Sequence, residues 1–450
     1  MKRLRREGAP VILPNTFSDA KNRNTPMPYQ KRPMRYTDAM ENLHDPVVGI
    51  IAEYNPFHNG HLWHLTEVRR LMPHAPLVMV LSSNFTQRGL PSLVDKWTRT
   101  RMALAQGADL VLELPFAFSC NAAPEFSAGA VDILAQTRFV THLSFGMENP
   151  DWELTSILDI LIQEPPSFKR NLKKRLSSGH SYPKALARAL ESELPGSASF
   201  LASPNNSLAL SYLLHTRKKG YALIPLPVLR RGAGYHAELL GPLPSATAVR
   251  KAIAHGAGKD ELDKALPSAT LALLAQAQTE GRLCLGTEKL WRLLQSLLMR
   301  TSPLQLRSVA GMDEGLEHLF LRHAEAESYE AFIGRCLCAR YTKSRLQRQV
   351  ARLLVNVERW NAAALSRLGP PYIRVLGFGE RGRHLLRERN SSSTPFISRL
   401  PAAQKLGPLA KSAADMEFRA SKLYELLLPT PDPKREERSI PLSESTTQMP

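Results

Sequence analysis

The stretch EYNPFHNGH, residues 53–61, sets two imidazoles three positions apart, just after the apolar run VVGII (47–51). Two chemistries suit His58 and His61 at that spacing. Both rings could donate hydrogen bonds to a phosphoryl oxygen as charge builds on it, with no covalent step. Alternatively, His58, His61 and His64 at intervals of three suggest a metal-ligand ladder. A third reading is structural: a Pro-Phe turn and a capped helix start. The metal reading is the weakest. Pro56 and Gly60 disturb helical spacing, and no cluster of Cys or carboxylates nearby completes a ligand set, so no metal site is expected. The phosphate reading gains from position, because the N-terminus of a helix aims backbone N–H groups and a positive dipole end at an anion. Glycine at 60 would let a ring or phosphate approach the backbone. His74, and His64 taken alone, read most simply as surface or core histidines.

The elements around this turn follow a regular alternation. Apolar runs at 47–51, 76–83, 109–115 and 139–146 read as buried strands, and amphipathic or capped segments between them read as helices. Leu62, Leu65, Val68 and Met72 share one helical face; Asp95 is a plausible N-cap and Gly107 a stop for the helix between them. A further helix (SPNNSLALSYLLHTRKKG), a strand (YALIPLPVL) and a short helix (SATAVRKAIAHG) follow. Continuous apolar strands alternating with helices predict an α/β domain of Rossmann-like form, a parallel sheet covered on both faces, over residues 47–255. In such a sheet ligands bind beyond the carboxyl ends of the strands, where EYNPFHNGH lies. Residues 256–428 read as a mainly α-helical C-terminal region, with one strand–glycine turn–helix unit in PYIRVLGFGERGRHLL. In YTKSRLQRQVARLLVN, Arg345, Arg348 and Arg352 fall within roughly 60° of a helical wheel, opposite Leu346, Val350, Leu353 and Leu354. Residues 1–46 lack periodicity and read as a disordered basic extension, with Met34 and Met40 as alternative starts; 429–450 reads as a disordered tail.

Bulk composition narrows the partners. The 450-residue chain carries 59 Lys and Arg against 41 Asp and Glu, a net +18 that favours a polyanion. Its positive charge is spread over helices, which suits a folded RNA-binding surface better than a basic tail. No apolar run approaches the roughly 20 residues of a membrane span, so no membrane partner is expected. Cys120, Cys284, Cys336 and Cys338 form no CxxC pair, which points to a reducing, cytoplasmic location.

PFHNGH resembles the His-x-Gly-His signature of the nucleotidyltransferase superfamily. GIIAEYNPFHNGHLWHL, SSNFTQRGLPSLVDKWTRTRMALAQGADLVLELPFAFS, LSFGMEN, SPNNSLAL, RRGAGYH, EGLEHLF, ARYTKSRLQR, YIRVLGFGERGRHLL and EFRASKLYELL, in that order from about 47 to 427, together resemble the bacterial tRNA(Met) cytidine acetate ligase family. The resemblance implies that acetate is activated with ATP as acetyl-adenylate, with pyrophosphate released. The acetyl group would then pass to N4 of the wobble cytidine 34 of elongator tRNA(Met), giving N4-acetylcytidine. It implies ATP as co-substrate, with Mg2+ and without acetyl-CoA.

On that resemblance His58 and His61 act on the phosphates, and the ATP loop comprises Ile51, Ala52, Glu53, Tyr54, Asn55, Pro56, Phe57, His58, Asn59, Gly60, His61, Leu62, Trp63 and His64. Gly146, Asn205 and Arg230 are further nucleotide contacts. Asn206, Arg231, Asp95, Lys96, Thr247 and Arg250 are additional candidates: Asp95 and Lys96 for the substrate side of the cleft, Thr247, Arg250 and Lys251 for the departing pyrophosphate. Asn205 or Asn206 also reads as a helix cap, Gly146 as a turn glycine, and the Thr247 segment as a capped surface helix. Arg345, Arg348, Arg352, Arg381 and Arg383 would meet tRNA phosphates. Cys120 is expected to be a small buried residue, and acetyl transfer to need no enzyme nucleophile. The chain departs from the family at SSNF (82–85), GLP (89–91) and Met147, positions expected to shape the acyl pocket. Two other functions compete: a small-molecule nucleotidyltransferase making a nucleotide cofactor, against which the basic second half speaks, and a non-catalytic ATP-fold RNA-binding protein, against which intact His58, Gly60 and His61 speak.

Overall fold

Val48–Ala52 (β1), Leu77–Ser82 (β2), Leu110–Leu114 (β3) and His142–Met147 (β4) are almost wholly buried in the computed structural model, as their unbroken apolar runs predict. The structure describes residues 45–152, 154–231, 243–387 and 392–443. The expected extension, apart from its last two residues, lies outside them. Each of the first three strands is followed by a crossover helix, Asn59–Leu71, Lys96–Ala105 and Ala123–Gln136. Leu65 and Val68 of the first helix are buried, with Leu62 and Met72 packed at their edge. Asp95 caps the second helix by accepting from the Thr98 N–H, and Gly107, at φ +91°, turns the chain out of it.

The sheet order is β5-β4-β1-β2-β3-β6-β7, with β5 Ile224–Leu229, β6 Ile373–Phe378 and β7 Phe396–Ile397; β8, Leu442–Ser443, pairs with β6. Strands β5 to β3 in this order run parallel. The chain steps outward from β1 to β2 and β3, then returns to the other side of β1 as β4. The carboxyl ends of β1 and β4 therefore meet at a topological switch point, the place where open α/β sheets bind ligands.

Two expectations need correction. At the boundary expected near residue 255, the described residues on either side fall in one compact unit that begins at Asp45. β6, from the helical second half, closes the open edge of β3 in antiparallel register, pairing Leu110 with Phe378. An exposed edge strand is a liability that this pairing removes. The tail beginning at 429 is also not structureless: Arg435–Arg438 is helical, β8 extends the sheet, and Glu436 is buried. Residues 444–450 lie outside the described region.

The physical reason is a charge cluster. Lys96 is fully buried and its Nζ pairs with Glu113, with Glu417 at 2.7 Å and with Glu436 at 2.9 Å. Arg374 of β6, also fully buried, pairs with Glu113 at 3.2 Å and with Glu436. Buried ions persist only when paired and hydrogen-bonded, so this core needs acids from three distant parts of the chain. The oxygens of Glu113, Glu417 and Glu436 come within 4.8 Å of one another, but Lys96 and Arg374 fill the place a metal cation would take. Nearby, Arg282 holds Glu425 at 2.6 Å and Asp95 at 3.1 Å. Asp95 and Lys96 are thus structural and do not line the substrate side of the cleft.

Candidate functional site

His58 is the N-cap of the Asn59–Leu71 helix. Its Nδ1 accepts from the Gly60 N–H at 3.0 Å, and Nδ1 of His61 accepts from the His58 N–H at 3.2 Å. The two rings form a reciprocal capping box with histidine in both roles. They stack with centroids 3.7 Å apart. A backbone amide can only donate, so each Nδ1 must be unprotonated. In the neutral ring the hydrogen then sits on Nε2. Burial first, and the nearby Arg230 and Arg250 cations second, pull the His58 pKa down to about 3. His61 is lowered in the same way by burial and by His58. Both are therefore neutral Nε2–H donors at neutral pH. Gly60 is required first by this packing, because a Cβ there would sit 2.9 Å from the His58 ring.

The preceding loop is held from several sides. Tyr54 takes a left-handed φ of +45°, a backbone strain of the kind concentrated at functional sites. The Asn55 side chain accepts from the Leu93 N–H at 2.7 Å, and its carbonyl accepts from Arg250 Nη1 at 2.7 Å. Arg250 also donates to Thr247 Oγ1 at 3.2 Å. Thr247 and Arg250 belong to the Ala246–Ala254 helix, capped by Ser245. Glu53 accepts from the Gln87 N–H at 2.6 Å, and burial raises its carboxyl against the pull of that bond and of Arg99, Arg250 and Arg88.

These groups surround a cleft of about 340 Å³ at the switch point. Of the expected loop, Ile51, Ala52, Glu53, Tyr54, Asn55, His58, Gly60, His61, Trp63 and His64 line it. Pro56, Phe57, Asn59 and Leu62 do not. Phe57 is fully buried in the core, Asn59 donates to the Lys264 carbonyl at 3.1 Å, and Leu62 packs on the core. His64 is a cleft residue, bonded through Nε2 to Ser144 Oγ at 2.9 Å and lowered by burial to about 4.

Gly146, Asn205 and Arg230 all line the cleft. A Cβ on Gly146 would meet nothing within 4 Å, so its bare backbone opens onto the cavity. Asn205 donates to Glu148 Oε1 at 2.5 Å. Asn206 is instead fully buried: its Oδ1 accepts from the Glu148 N–H and its Nδ2 donates to Asn149 and to the Phe200 carbonyl. Neither asparagine is the cap, which is Ser203. Arg231 also reaches the cleft wall, with its guanidinium 4.4 Å from the Trp63 ring centroid.

Sequence reasoning passed over Thr86, Gln87, Arg88 and Tyr212, which line the same cleft. The signal for the first three was their place just past the carboxyl end of β2. Ser83 and Leu90 pack away from the cavity, Ser83 donating to Glu417 at 2.6 Å, and Met147 is fully buried, so these departures from the family lie behind the cleft wall.

The Lys343–Val355 helix is docked by buried Leu346, Val350 and Leu353, as its pattern predicts. Arg345 and Arg352 are half-buried, and Arg348 donates to the Gln87 carbonyl at 3.3 Å. This basic helix therefore abuts the cleft. Arg352 also lines a second cavity of about 250 Å³, together with the buried Cys120. Arg381 and Arg383 are not brought there. Their helix, Glu380–Arg387, begins where Gly379 N–H meets the Asp109 carbonyl, at the amino end of β3. It lies a strand length, about 17–20 Å, from the cleft end.

A profile of the HIGH Nucleotidyl Transferase family matches residues 46–439. A curated tRNA(Met) cytidine acetate ligase of Acetivibrio thermocellus is 36% identical over 397 residues, covering 86% of this chain and 96% of that protein. Its counterpart from Halothermothrix orenii is 34% identical over 410 residues, covering 87% and 97%. The crystal structure of Thermotoga maritima TmcAL bound with alpha-thio ATP superimposes with a TM-score of 0.82 at 30% identity, covering 88% of this chain and all of that one. The apo form gives 0.84. The chain belongs to the tRNA(Met) cytidine acetate ligase family, ATP-dependent ligases built on the HIGH nucleotidyl transferase fold.

Proposed function

We propose that the cleft binds ATP and acetate, forms acetyl-adenylate with release of pyrophosphate, and passes the acetyl group to N4 of cytidine 34 in elongator tRNA(Met). The observation that carries this is the histidine pair. Each ring has one nitrogen fixed by a backbone amide, which leaves its Nε2–H as a preorganised donor. Donors of that kind stabilise charge as the α-phosphate is attacked and pyrophosphate departs. Arg230 and Arg250 supply positive charge at the rim, and Gly146 leaves room for the nucleoside. The relatives' names and the ATP analogue in the Thermotoga structure support the same reading.

Among the described lining residues the cleft offers one carboxylate, Glu53, flanked by arginines. That set does not build a protein cage for Mg2+, which needs octahedral oxygen ligands; the ion would enter on the ATP phosphates. The attacking amine needs no enzyme nucleophile once the acid is activated and held close. The proposed tRNA substrate and the four free thiols support a location in the cytoplasm; no helix among the described residues is long and apolar enough to cross a membrane.

The test is incubation of the protein with ATP, radiolabelled acetate and tRNA. Label in tRNA(Met), and not in other tRNAs, is the expected result. Pyrophosphate release with a small acceptor and no labelled RNA would replace it with the cofactor-synthesis reading, and ATP binding without turnover with the non-catalytic one.

A further inference from the structure

On the reading just given, the second half-reaction leaves a proton without a destination. When an exocyclic amine attacks the carbonyl of acetyl-adenylate, the nitrogen becomes cationic and must lose a hydrogen as the anhydride bond breaks. His58 and His61 are poor acceptors, because Nδ1 of each is taken by a backbone amide and Nε2 carries the hydrogen. Burial holds Tyr54 and Tyr212 as phenols, and the arginines are donors.

Glu53 is the one carboxylate among the described residues that line the cleft. The Gln87 N–H fixes its Oε1 at 2.6 Å. The carbonyl of the same Gln87 accepts from Arg348 on the basic helix at 3.3 Å. One residue therefore separates Glu53 from the element best placed to meet RNA. It stands on the cleft wall, on the side that this helix abuts.

We propose that Glu53 is the proton acceptor of acetyl transfer. As the N4–carbon bond forms, the N4 hydrogen passes to the Glu53 carboxylate. The carbon–oxygen bond to the phosphate breaks, its electron pair leaves on AMP, and the proton then goes to water. The groups facing Glu53 are Arg99 of the Lys96–Ala105 helix, Arg250, Arg88, Tyr212 and Cys120. Burial raises its carboxyl, and the Gln87 N–H and the three arginines oppose the rise, so its carboxylate binds a proton more readily than that of an exposed glutamate.

The experiment compares wild type, Glu53→Gln and Glu53→Asp in two assays: acetate-dependent pyrophosphate exchange, and single-turnover transfer of radiolabelled acetate to tRNA(Met) with enzyme in excess. Gln keeps an oxygen for the Gln87 N–H, so the loop stays anchored. Transfer by Glu53→Gln should fall 100-fold or more, and exchange by less than tenfold. Wild-type transfer should rise with pH along a limb that is absent in Glu53→Gln and displaced in Glu53→Asp. Transfer by Glu53→Gln within threefold of wild type overturns the inference. So do parallel losses in both assays, which make Glu53 a nucleotide or Mg2+ group. A wild type that leaves tRNA(Met) unlabelled removes the functional reading itself, and this role with it.

Discussion

At His58 and His61 the cap is observed, and the proposed phosphate donor asks for no other arrangement. The backbone bonds that cap the helix also set the tautomer that can donate. His61→Ala should lower acetate-dependent pyrophosphate exchange by about 100-fold or more, with tRNA affinity in a filter-binding assay nearly unchanged. Gly146→Val should abolish binding of a non-hydrolysable ATP analogue while the melting temperature stays within about 3 °C, because the new side chain meets only the cavity. Protonation gives a second handle. Unfolded histidine takes up its proton near pH 6.5, but His64 in the fold waits until about 4 and His58 until about 3. Their stabilising contribution is therefore present above pH 6.5 and lost as the pH falls toward 4. Glu113, pushed up to about 7 by burial and Glu417, acts in the opposite sense, its contribution full below about 4.5 and lost as the pH rises through 7. Urea midpoints of wild type and a His58→Asn/His61→Asn double variant, compared between pH 7.5 and 4.5, should show the smaller acid loss in the variant.

Among elements, the four buried strands, the Asp95 cap and the basic helix were legible because period and capping are local properties of sequence, although the cap expected at Asn205 or Asn206 is Ser203. The partner of β3 was not. Ile373–Phe378 reads as a strand, but nothing local says that it crosses half the chain to run antiparallel beside residues 110–112. The loop at 86–91 was opaque for the same reason. Gly89, at φ +86°, touches the Lys343–Val355 helix so closely that a Cβ would fall 2.3 Å from the Arg348 nitrogen. Gly89→Ala should therefore cost about 2 kcal/mol or more in urea denaturation, since backbone cannot move aside as a side chain can. Arg345→Gln with Arg352→Gln should weaken tRNA binding and flatten its salt dependence by about 2 in the log–log slope, and leave pyrophosphate exchange in place. Arg348→Ala, which also frees the Gln87 carbonyl, should harm both.

Over the whole molecule, the two halves are interleaved rather than joined end to end. Reading Lys96 as a substrate-side residue misses partners as far away as Glu417 and Glu436, a relation no window of sequence contains. Glu436→Ala should destabilise the protein by on the order of 3 kcal/mol, because two buried cations lose a shared acid; thermal or urea unfolding would measure it. The histidine turn was readable because it is local, within residues 53–61, and the ion cluster unreadable because it draws on residues 96 to 436.

That cluster also ties one end of the chain to the other. Lys96 emerges early, but the acid at 436 follows 340 positions later. Without that acid the Lys96 ammonium would keep Glu113 and Glu417 but lose its third partner. A chain lacking the segment around Glu436 would therefore keep every residue of the histidine turn and still leave Lys96 and Arg374 without one of their buried acids.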